Sequence, residues 1–311
     1  MPAPAVAILN PRAAGGKTAR WWPRYASVIA GRLGGLETLR TERPGHATEL
    51  ARLALESGVE TVIAVGGDGT VNEVVNGFFA DDKPVRAGAR LGYIPMGTGG
   101  DFQRTVQLPT DPQAAADCLA GGKVWPIDVG KIRLTGHDGE PVERYFVNLA
   151  SFGMGGDVSI KAKNCWATKI HGKLAFLWAT FAVFFQYGGK TVSLRLDDGA
   201  EQTFTITNIA LGNGRYHGGG MHPCPLGKLD DGLLEVTTID RLSMFELIRD
   251  IRVLYSENLY VHPKTKHFRA RKVVAESEEI TRIEVDGEAL GRLPLEATVL
   301  PRALGLIVPQ M

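Results

Sequence analysis

Residues 66–77, which read GGDGTVNEVVNG, place glycines beside a carboxylate, a hydroxyl and an amide. An apolar β-branched run precedes them and apolar residues at helical spacing follow, so the pattern predicts a strand, a glycine turn and a helix start. Glycines let backbone approach a ligand closely, and the N–H groups of a helix N-terminus suit phosphate. Asp68 beside a phosphate indicates a shared cation such as Mg²⁺. A turn without a ligand is the alternative, and Asp68, Thr70 and Asn72 favour the nucleotide site.

Two acidic turns later in the chain are further candidates. Asp230 and Asp231 could bind a hard cation with nearby carbonyls, or they could form a solvated turn. Asp286-Gly287-Glu288 (the DGE turn) carries two carboxylates, but Asp-Gly also favours a plain type I′ hairpin turn. From the residues alone, the hairpin turn is the favoured interpretation of the DGE turn.

Composition limits the class of protein, the number of domains and the compartment that the sequence is compatible with. The chain has 311 residues, 44% hydrophobic and 22% charged, which is typical of a globular protein with one large domain or two. A net charge of +1 gives no support for nucleic-acid binding. The three cysteines lie far apart, which argues against a metal cluster or a disulfide framework and favours a reducing cytoplasm. The longest apolar run, residues 174–187, is shorter than the roughly 20 residues that span a bilayer, and the N-terminus does not read as a signal peptide.

The first part of the sequence alternates strand and helix patterns. Strands are predicted at residues 5–9, 36–40, 61–65 and 91–94, with helices from about residue 18 and over 47–57. This alternation predicts a parallel sheet with helices on both faces. The loops 10–17, 41–46, 66–72 and 95–101 each follow a strand, so we expect them to converge on one edge, where such sheets bind ligands.

From about Pro126 the pattern changes to many strands with few helices. Strands are predicted at residues 127–134, 145–150, 191–196, 204–211, 233–239 and 267–275, and helices at 172–186 and 243–255. We therefore predict two domains, 1–125 and 126–311, the second mostly antiparallel. The last strand, residues 303–309, could belong to either domain. The sequence lacks GxxxxGK[ST] and GxGxxG, which disfavours a P-loop kinase and a nicotinamide dehydrogenase.

Five motifs in order carry a resemblance that covers nearly the whole chain. They are NPRAAGGK at 10–17, GGDGTVNEVVNG at 66–77, PMGTGGDF at 95–102, GGGMHPCPLGKLDDGLLEV at 218–236 and VDGE at 285–288. Together they resemble the bacterial diacylglycerol kinase and lipid kinase family, which is related to sphingosine and ceramide kinases. GGDGT alone is shared with NAD kinases and phosphofructokinase-like enzymes, whereas the later LDDG and DGE motifs favour lipid kinases.

The resemblance implies a fold and an activity. The fold is an α/β nucleotide-binding domain with a parallel sheet, of the NAD kinase and phosphofructokinase-like type, plus a mostly antiparallel β-sandwich domain. The activity is transfer of the γ-phosphoryl group of ATP to a hydroxyl of a lipid such as diacylglycerol, with Mg²⁺. Phosphoryl transfer depends on positioning and on neutralising phosphate charge.

The resemblance also implies roles for particular residues. Glu288 resembles the proton acceptor, with Asp286 as a competing candidate, and Asp68 resembles a residue that helps to hold catalytic Mg²⁺. A structural Mg²⁺ site is implied at Lys228, Asp231 and Leu233, with carbonyls from the first and last. The implied ATP contacts are Asn10, Pro11, Gly15, Lys17, Thr41, Gly66, Gly67, Asp68, Gly69, Thr70, Val71, Asn72 and Thr98.

One position departs from the family pattern. The third motif usually reads GT-x-ND, and Gly100 stands where Asn is expected. Gly100 keeps open the alternative of a nucleotide-binding regulator without turnover. A kinase of a soluble acceptor, such as an NAD kinase, is a second alternative.

The aromatic run at residues 174–187 is a candidate acyl-chain cleft or membrane contact, although a buried core helix explains it as well. Basic residues before it could meet anionic head groups or could form a solvated face; they are Lys161, Lys163, Lys169, His171 and Lys173. We expect a cytoplasmic protein that contacts the inner membrane surface transiently. The sequence does not indicate an oligomeric state.

Overall fold

The computed structural model describes residues 5–163, 180, 182–185 and 187–310. The chain divides into two compact units: unit 1 comprises Met1–Asp128 with Arg302–Met311, and unit 2 comprises Val129–Pro301. The sequence predicts a division at residue 125, and the compact units divide after Asp128. The final residues, which the sequence could not assign, belong to unit 1.

Unit 1 is an α/β unit. Its strands before the unit boundary are β1 (Val6–Leu9), β2 (Glu37–Arg40), β3 (Thr61–Gly66), β4 (Phe79–Ala80), β5 (Lys83–Pro84) and β6 (Arg90–Pro95). Its helices are α1 (Lys17–Leu33), α2 (His46–Glu56), α3 (Asp68–Gly77), α4 (Asp101–Val106) and α5 (Pro112–Gly121). Strands β6, β3, β1 and β2 lie side by side in that order with parallel pairing.

Burial on both faces explains why these strands read as apolar runs. Every residue of β1 and of β3 is buried, which is the pattern of a sheet covered by helices on both sides. The sequence analysis did not predict α4 or α5. A start signal for α5 is nevertheless present, because Asp111 accepts hydrogen bonds from the N–H groups of Gln113 and Ala114, and Pro112 is the first helical residue.

Unit 2 is mostly antiparallel. Two strands cross the unit boundaries, β7 (Lys123–Gly136) and β16 (Glu288–Val308). The strands within it are β8 (Pro141–Phe146), β9 (Leu149–Gly153), β10 (Lys190–Leu196), β11 (Gln202–Gly212), β12 (Leu234–Asp240), β13 (Thr265–Ala270), β14 (Lys272–Glu276) and β15 (Arg282–Val285). Helices whose bounds lie in the described part of the chain are α6 (Met154–Lys163) and α7 (Met244–Asp250), with 3-10 turns at Ile251–Tyr255 and Leu259–Val261. Apolar side chains from these strands form one core, including Ile132, Phe152, Ile206, Val236 and Leu295.

Three predicted elements of unit 2 need correction. The single strand predicted at 145–150 is wrong, because β8 ends at Phe146 and β9 begins at Leu149. The single strand predicted at 267–275 is wrong, because the chain changes partners at Arg271: β13 pairs with β12, and β14 pairs with β10. The Asp197 carboxylate accepts hydrogen bonds from the N–H groups of Arg271 and Lys272 at this break. The helix predicted at 243–255 is α-helical only to Asp250 and continues as a 3-10 turn.

Part of the aromatic run lies outside the described residues. These include residues 174–179, 181 and 186, and the basic residues 169, 171 and 173 before them. In the part of the chain that the structure describes, no helix is both long and apolar enough to cross a bilayer.

Candidate functional site

The strand ends of unit 1 place four predicted loops at one edge. In the register of the sheet, Leu9 lies beside Arg40 and Val65, and Gly66 lies beside Pro95, so the loops that follow begin at the same level. The Asn10 side chain joins two of these loops, because its Nδ2 donates to Thr70 Oγ1 at 3.1 Å. This edge therefore brings together the motifs that the sequence analysis assigned to ATP.

The glycine loop after β3 and the loop after β6 approach each other closely. A Cβ atom on Gly97 would lie 2.4 Å from the Gly67 Cα, and a Cβ atom on Gly66 would lie 2.4 Å from Thr70 Oγ1. Both distances are far below contact range, so side chains larger than hydrogen do not fit there. Met96 N also donates to Gly66 O at 2.7 Å, which ties the two loops together.

The N-terminus of α3 opens on this loop without a side-chain cap. Its N-cap residue is Gly67, and no side chain of the described residues accepts from the first N–H groups of the helix. Uncapped N–H groups and the positive end of the helix dipole form an anion-binding site. Val71 and Asn72 are buried, so Val71 offers only backbone to a ligand.

Asp68 has a structural contact that the sequence analysis did not foresee. Its Oδ2 accepts a hydrogen bond from Asp101 N at 3.2 Å, and its Oδ1 accepts one from Phe102 N at 3.1 Å. These N–H groups belong to the first turn of α4, so Asp68 caps that helix from a different element. The predicted role of Asp68 in holding Mg²⁺ stays a prediction beside this observed one.

Burial controls the ionisation of Asp68. Desolvation raises the pKa of Asp68, the negative charge of Asp101 raises it further, and the backbone hydrogen bonds lower it. The Tyr93 hydroxyl is buried nearby, has no hydrogen-bond partner among the described residues, and has a pKa raised well above its usual value by burial and by the two carboxylates. Asp101 is bound by the Arg104 guanidinium, which also donates to Gly99 O, each at 2.8 Å.

The backbone at Gly100 accounts for the departure from the family motif. Gly100 is the N-cap residue of α4 and has φ +66° and ψ +33°, the left-handed region. Glycine adopts this conformation freely, and Asn is among the few other residues that visit it routinely. Glycine in place of Asn therefore suits the observed loop conformation.

The remaining predicted ATP contacts lie in the loops after β1, β2 and β6. Gly15, Lys17 and Thr98 are exposed, whereas Pro11 and Thr41 are half-buried. Thr18, which no sequence motif singles out, is a buried residue whose hydroxyl lies 3.0 Å from both Ala13 O and Met96 O and so links two of these loops. A threonine in the first turn of a helix is common, so nothing in the sequence indicated that Thr18 links these loops.

In unit 2 the two candidate bases differ in what they contact. Asp286 and Gly287 both have positive φ, and Val285 pairs with Glu288, which confirms the predicted two-residue hairpin turn. The buried Asp286 carboxylate accepts from Leu149 N at 2.8 Å and from Val147 N at 3.3 Å. Glu288 is half-buried and forms no side-chain hydrogen bond or ion pair with any described residue. Asp286 thus holds backbone in place, and Glu288 is the carboxylate available to a substrate.

The predicted structural Mg²⁺ site contains an arginine. Asp231 Oδ1 accepts from Leu233 N at 3.1 Å, and Asp231 Oδ2 pairs with the Arg269 guanidinium. Lys228 is exposed. Among the described residues, no group of three or more His, Cys, Asp or Glu side chains could hold a metal ion. A divalent cation at Asp231 would have to share the carboxylate with Arg269, so the residues as they stand do not fit it.

Comparisons with known proteins agree with the motifs. The family profile described as diacylglycerol kinase catalytic domain matches residues 4–132, and the profile described as YegS C-terminal NAD kinase beta sandwich-like domain matches residues 149–308. A diacylglycerol kinase of Staphylococcus saprophyticus is 34% identical over 263 residues, which cover 84% of this chain and 81% of that enzyme.

Solved structures share the fold. The crystal structure of a diacylglycerol kinase from Bacillus anthracis has a TM-score of 0.70 at 23% identity, and the match covers 98% of this chain and 96% of that one. Yeast NADH kinase has a TM-score of 0.54 at 11% identity, over 100% of this chain and 84% of that one.

Proposed function

Because this chain belongs to the diacylglycerol kinase family, we propose that it transfers the γ-phosphoryl group of ATP to a hydroxyl of a lipid such as diacylglycerol. The observation that carries this proposal is the uncapped N-terminus of α3 beside the glycine loop at residues 66–69. The close approach of Gly67 and Gly97 supports it, because it leaves bare backbone where a phosphate chain would lie.

The residues of unit 1 would bind and orient the phosphate groups. Backbone N–H groups at the start of α3 would donate to phosphate oxygens, and the Asn10–Thr70 hydrogen bond would fix the loop that presents them. Mg²⁺, when bound, would neutralise phosphate charge, and Asp68 is the carboxylate of this loop that could hold it. Asp68 would do so while capping α4, because each carboxylate oxygen has more than one lone pair.

Glu288 would accept the proton of the lipid hydroxyl. General-base catalysis of this kind typically contributes about 10²–10⁴ in rate. Glu288 forms no side-chain hydrogen bond or ion pair with the described residues, which supports this choice over Asp286, whose carboxylate accepts from two backbone N–H groups.

The experiment uses γ-labelled ATP, Mg²⁺ and diacylglycerol in detergent micelles, with extraction of the labelled lipid. We expect labelled lipid from the wild type and a loss of about 10²–10⁴ in turnover from Glu288→Gln with unchanged thermal stability. Asp286→Asn should lower stability as well as turnover, because it disturbs the hydrogen bonds to Val147 and Leu149. Full turnover in Glu288→Gln would overturn the base assignment.

The same assay separates the alternatives. Labelled NADP⁺ from ATP and NAD⁺, with no labelled lipid, would identify a kinase of a soluble acceptor. ATP binding without any labelled product would indicate a nucleotide-binding regulator.

One further assignment extends the proposal. We propose that the chain works in the cytoplasm and reaches its lipid at the inner membrane surface, which liposome co-sedimentation would test. The structural Mg²⁺ site predicted at Lys228, Asp231 and Leu233 is not part of this proposal, because the Arg269 guanidinium pairs with the Asp231 carboxylate.

A further inference from the structure

The turn at residues 229–232 (the LDDG turn) contacts an arginine at the position where the family resemblance implies a structural Mg²⁺. Asp231 Oδ1 accepts a hydrogen bond from Leu233 N at 3.1 Å, and Asp231 Oδ2 pairs with the Arg269 guanidinium. The two partners come from different elements, because Asp231 precedes β12 and Arg269 lies in β13. A cation that belongs to the chain itself therefore already binds this carboxylate.

The pairing of β12 with β13 places the same arginine opposite a second carboxylate. Glu235 and Arg269 are directly opposite in this antiparallel pair, and Arg269 Nε lies 3.6 Å from Glu235 Oε2. A guanidinium carries five N–H donors on a planar group, so one arginine can serve two carboxylates at once. Arg269 thus links the LDDG turn to the strand that follows it, as a shared metal ion would.

Glu235 needs a nearby positive charge because its side chain is buried. The residue is only 2% exposed, and the Tyr260 hydroxyl donates to its Oε1 at 2.8 Å. Its Oε2 accepts no hydrogen bond from any residue that the structure describes. Burial raises the pKa of Glu235, and the Tyr260 hydrogen bond, His267 and Arg269 oppose this rise. The guanidinium therefore offsets part of the cost of burying this carboxylate.

Glu284, another buried carboxylate of unit 2, has partners of a different kind. Ser151 Oγ donates to its Oε1 at 2.9 Å, Ser159 Oγ donates to its Oε2 at 3.0 Å, and His217 Nε2 lies 3.0 Å from its Oε1. Both oxygens of Glu284 thus have hydrogen-bond donors from neighbouring side chains. Glu235 has such a donor at one oxygen, so the charge of the guanidinium matters more there.

We propose that the Arg269 guanidinium takes the place of a divalent cation at Asp231, so that this chain holds the LDDG turn without a structural metal. The guanidinium supplies one positive charge and directed N–H donors, whereas Mg²⁺ requires near-octahedral oxygen ligands. The inference concerns how the turn is held. Its test needs neither ATP nor lipid, so its outcome is independent of the proposed phosphoryl transfer.

Binding of Mn²⁺ to the purified full chain without nucleotide provides the test. Mn²⁺ accepts the oxygen ligands that Mg²⁺ accepts, and loss of the free-ion electron paramagnetic resonance signal counts the bound ions. We expect the wild type and Asp231→Asn to bind the same number of ions, because Arg269 already pairs with the carboxylate that this variant removes. An ion that the wild type binds and Asp231→Asn loses would overturn the proposal.

Arg269→Ala should open the position that the guanidinium occupies. This variant leaves Asp231 and Glu235 without their shared cation, so we expect it to bind one more Mn²⁺ than the wild type does. The double variant Arg269→Ala/Asp231→Asn should lose that additional ion. If Arg269→Ala is folded but gains no ion, the guanidinium does not replace a metal.

Arg282→Ala is the matched control. The Arg282 side chain is 43% exposed, against 41% for Arg269, and it also pairs with one aspartate, Asp157, at 3.0 Å. We expect Arg282→Ala to gain no Mn²⁺, because its removal frees one carboxylate rather than two. An additional ion in both arginine variants would show that any freed carboxylate attracts Mn²⁺ and would overturn the assignment to Asp231.

Thermal melting shows whether the variants are folded and gives a second readout. In EDTA, Arg269→Ala should melt several degrees below the wild type, because two carboxylates lose their cation. Mg²⁺ should then raise the melting temperature of Arg269→Ala more than that of the wild type, because a ligand that binds the folded state stabilises it. Equal shifts in the two proteins would contradict a metal in the place of Arg269.

Discussion

At the scale of single residues, Asp68 and Asp111 both cap a helix but differ in location. Asp68 accepts from the first turn of α4 beside the glycine loop, and the exposed Asp111 accepts from the first turn of α5. Replacing either by Ala should lower the free energy of unfolding by about 1 kcal/mol, the usual cost of losing such a cap. Only Asp68→Ala should also lose phosphoryl transfer.

Urea unfolding and the labelled-lipid assay, applied to both variants, check this prediction. Asp111→Ala serves as the control for loss of a cap alone. Normal turnover in Asp68→Ala, or an equal loss of turnover in Asp111→Ala, would contradict a specific role for Asp68.

The ionisation of Asp68 gives a second residue-scale prediction. Asp101→Asn should lower the pKa of Asp68, because the negative charge of Asp101 is, after burial, the second cause that raises it. The folded state binds the Asp68 carboxyl proton more tightly than the unfolded state does. This proton therefore adds to the free energy of unfolding at pH values below the usual pKa of Asp68, and the contribution is lost as the pH rises through the raised pKa. Carboxyl-carbon NMR titration of the wild type and Asp101→Asn checks the shift, and an unchanged pKa would contradict the charge coupling.

At the scale of elements, the approach of two glycine loops should be essential for ATP binding. A Cβ at Gly97 would lie 2.4 Å from the backbone of Gly67, so Gly97→Ala must separate the loop after β3 from the loop after β6. We expect ATP affinity to fall about tenfold or more, which corresponds to 1.4 kcal/mol or more. Gly121→Ala, at the end of α5 with no atom within 4 Å of the added Cβ, is the control. Calorimetric titration with Mg-ATP measures both, and equal affinities would contradict the prediction.

The elements of unit 1 were predictable where the apolar pattern is simple. Buried strands such as β1 and β3 read as short apolar runs that end in polar, glycine-rich loops, and their alternation with helical patterns indicated the α/β order. Helix α4 was missed because it has only six residues and follows a glycine in the left-handed conformation. The break between β13 and β14 was missed because Arg271 carries no turn signal, and the contact that fixes it comes from Asp197, 74 residues away.

The candidate site was predictable only in its loops. The glycines of the loop at residues 66–69, Asp68 and Asn10 were predicted as site residues because their types and order form motifs. The capping of α4 by Asp68 joins residues 33 and 34 positions apart, and the contact between Ser151 and Glu284 spans 133 positions. Glu284 is a single charged residue within a strand pattern. Nothing in that pattern indicates that its side chain is fully buried beside Ser151, Ser159 and His217. Such contacts depend on strand pairing, which local patterns do not determine.

At the scale of the whole molecule, the chain leaves unit 1 and returns to it. Arg302 N donates to Asp128 Oδ1 at 2.7 Å, and Gly305–Leu306 pair in parallel with Arg90–Leu91 of β6. Gln310 Nε2 donates to Gly121 O at 2.6 Å. The end of β16 from Arg302 onward is therefore a structural part of unit 1, although the 173 residues of unit 2, Val129–Pro301, separate it from the rest in sequence.

This return predicts which fragment of the chain folds alone. The returning strand buries Leu304, Leu306, Ile307 and Val308. Each such side chain contributes about 1.5–3 kcal/mol, and a domain of this size is stable by only about 5–15 kcal/mol in total. Residues 1–128 alone should therefore fail to fold, whereas residues 1–128 joined by a Gly/Ser linker to residues 302–310 should unfold cooperatively and bind ATP.

Urea unfolding and Mg-ATP titration of the two fragments check this prediction. A third fragment, in which residues 304, 306, 307 and 308 are all Ser, controls for the mere presence of the linker and the added segment. It should behave like residues 1–128 alone, because it keeps the length of the returning strand but loses its apolar burial. Cooperative unfolding and ATP binding by residues 1–128 alone would show that α1–α5 and β1–β6 form a sufficient core. The glycine loops would then be held in place without the last strand beside β6.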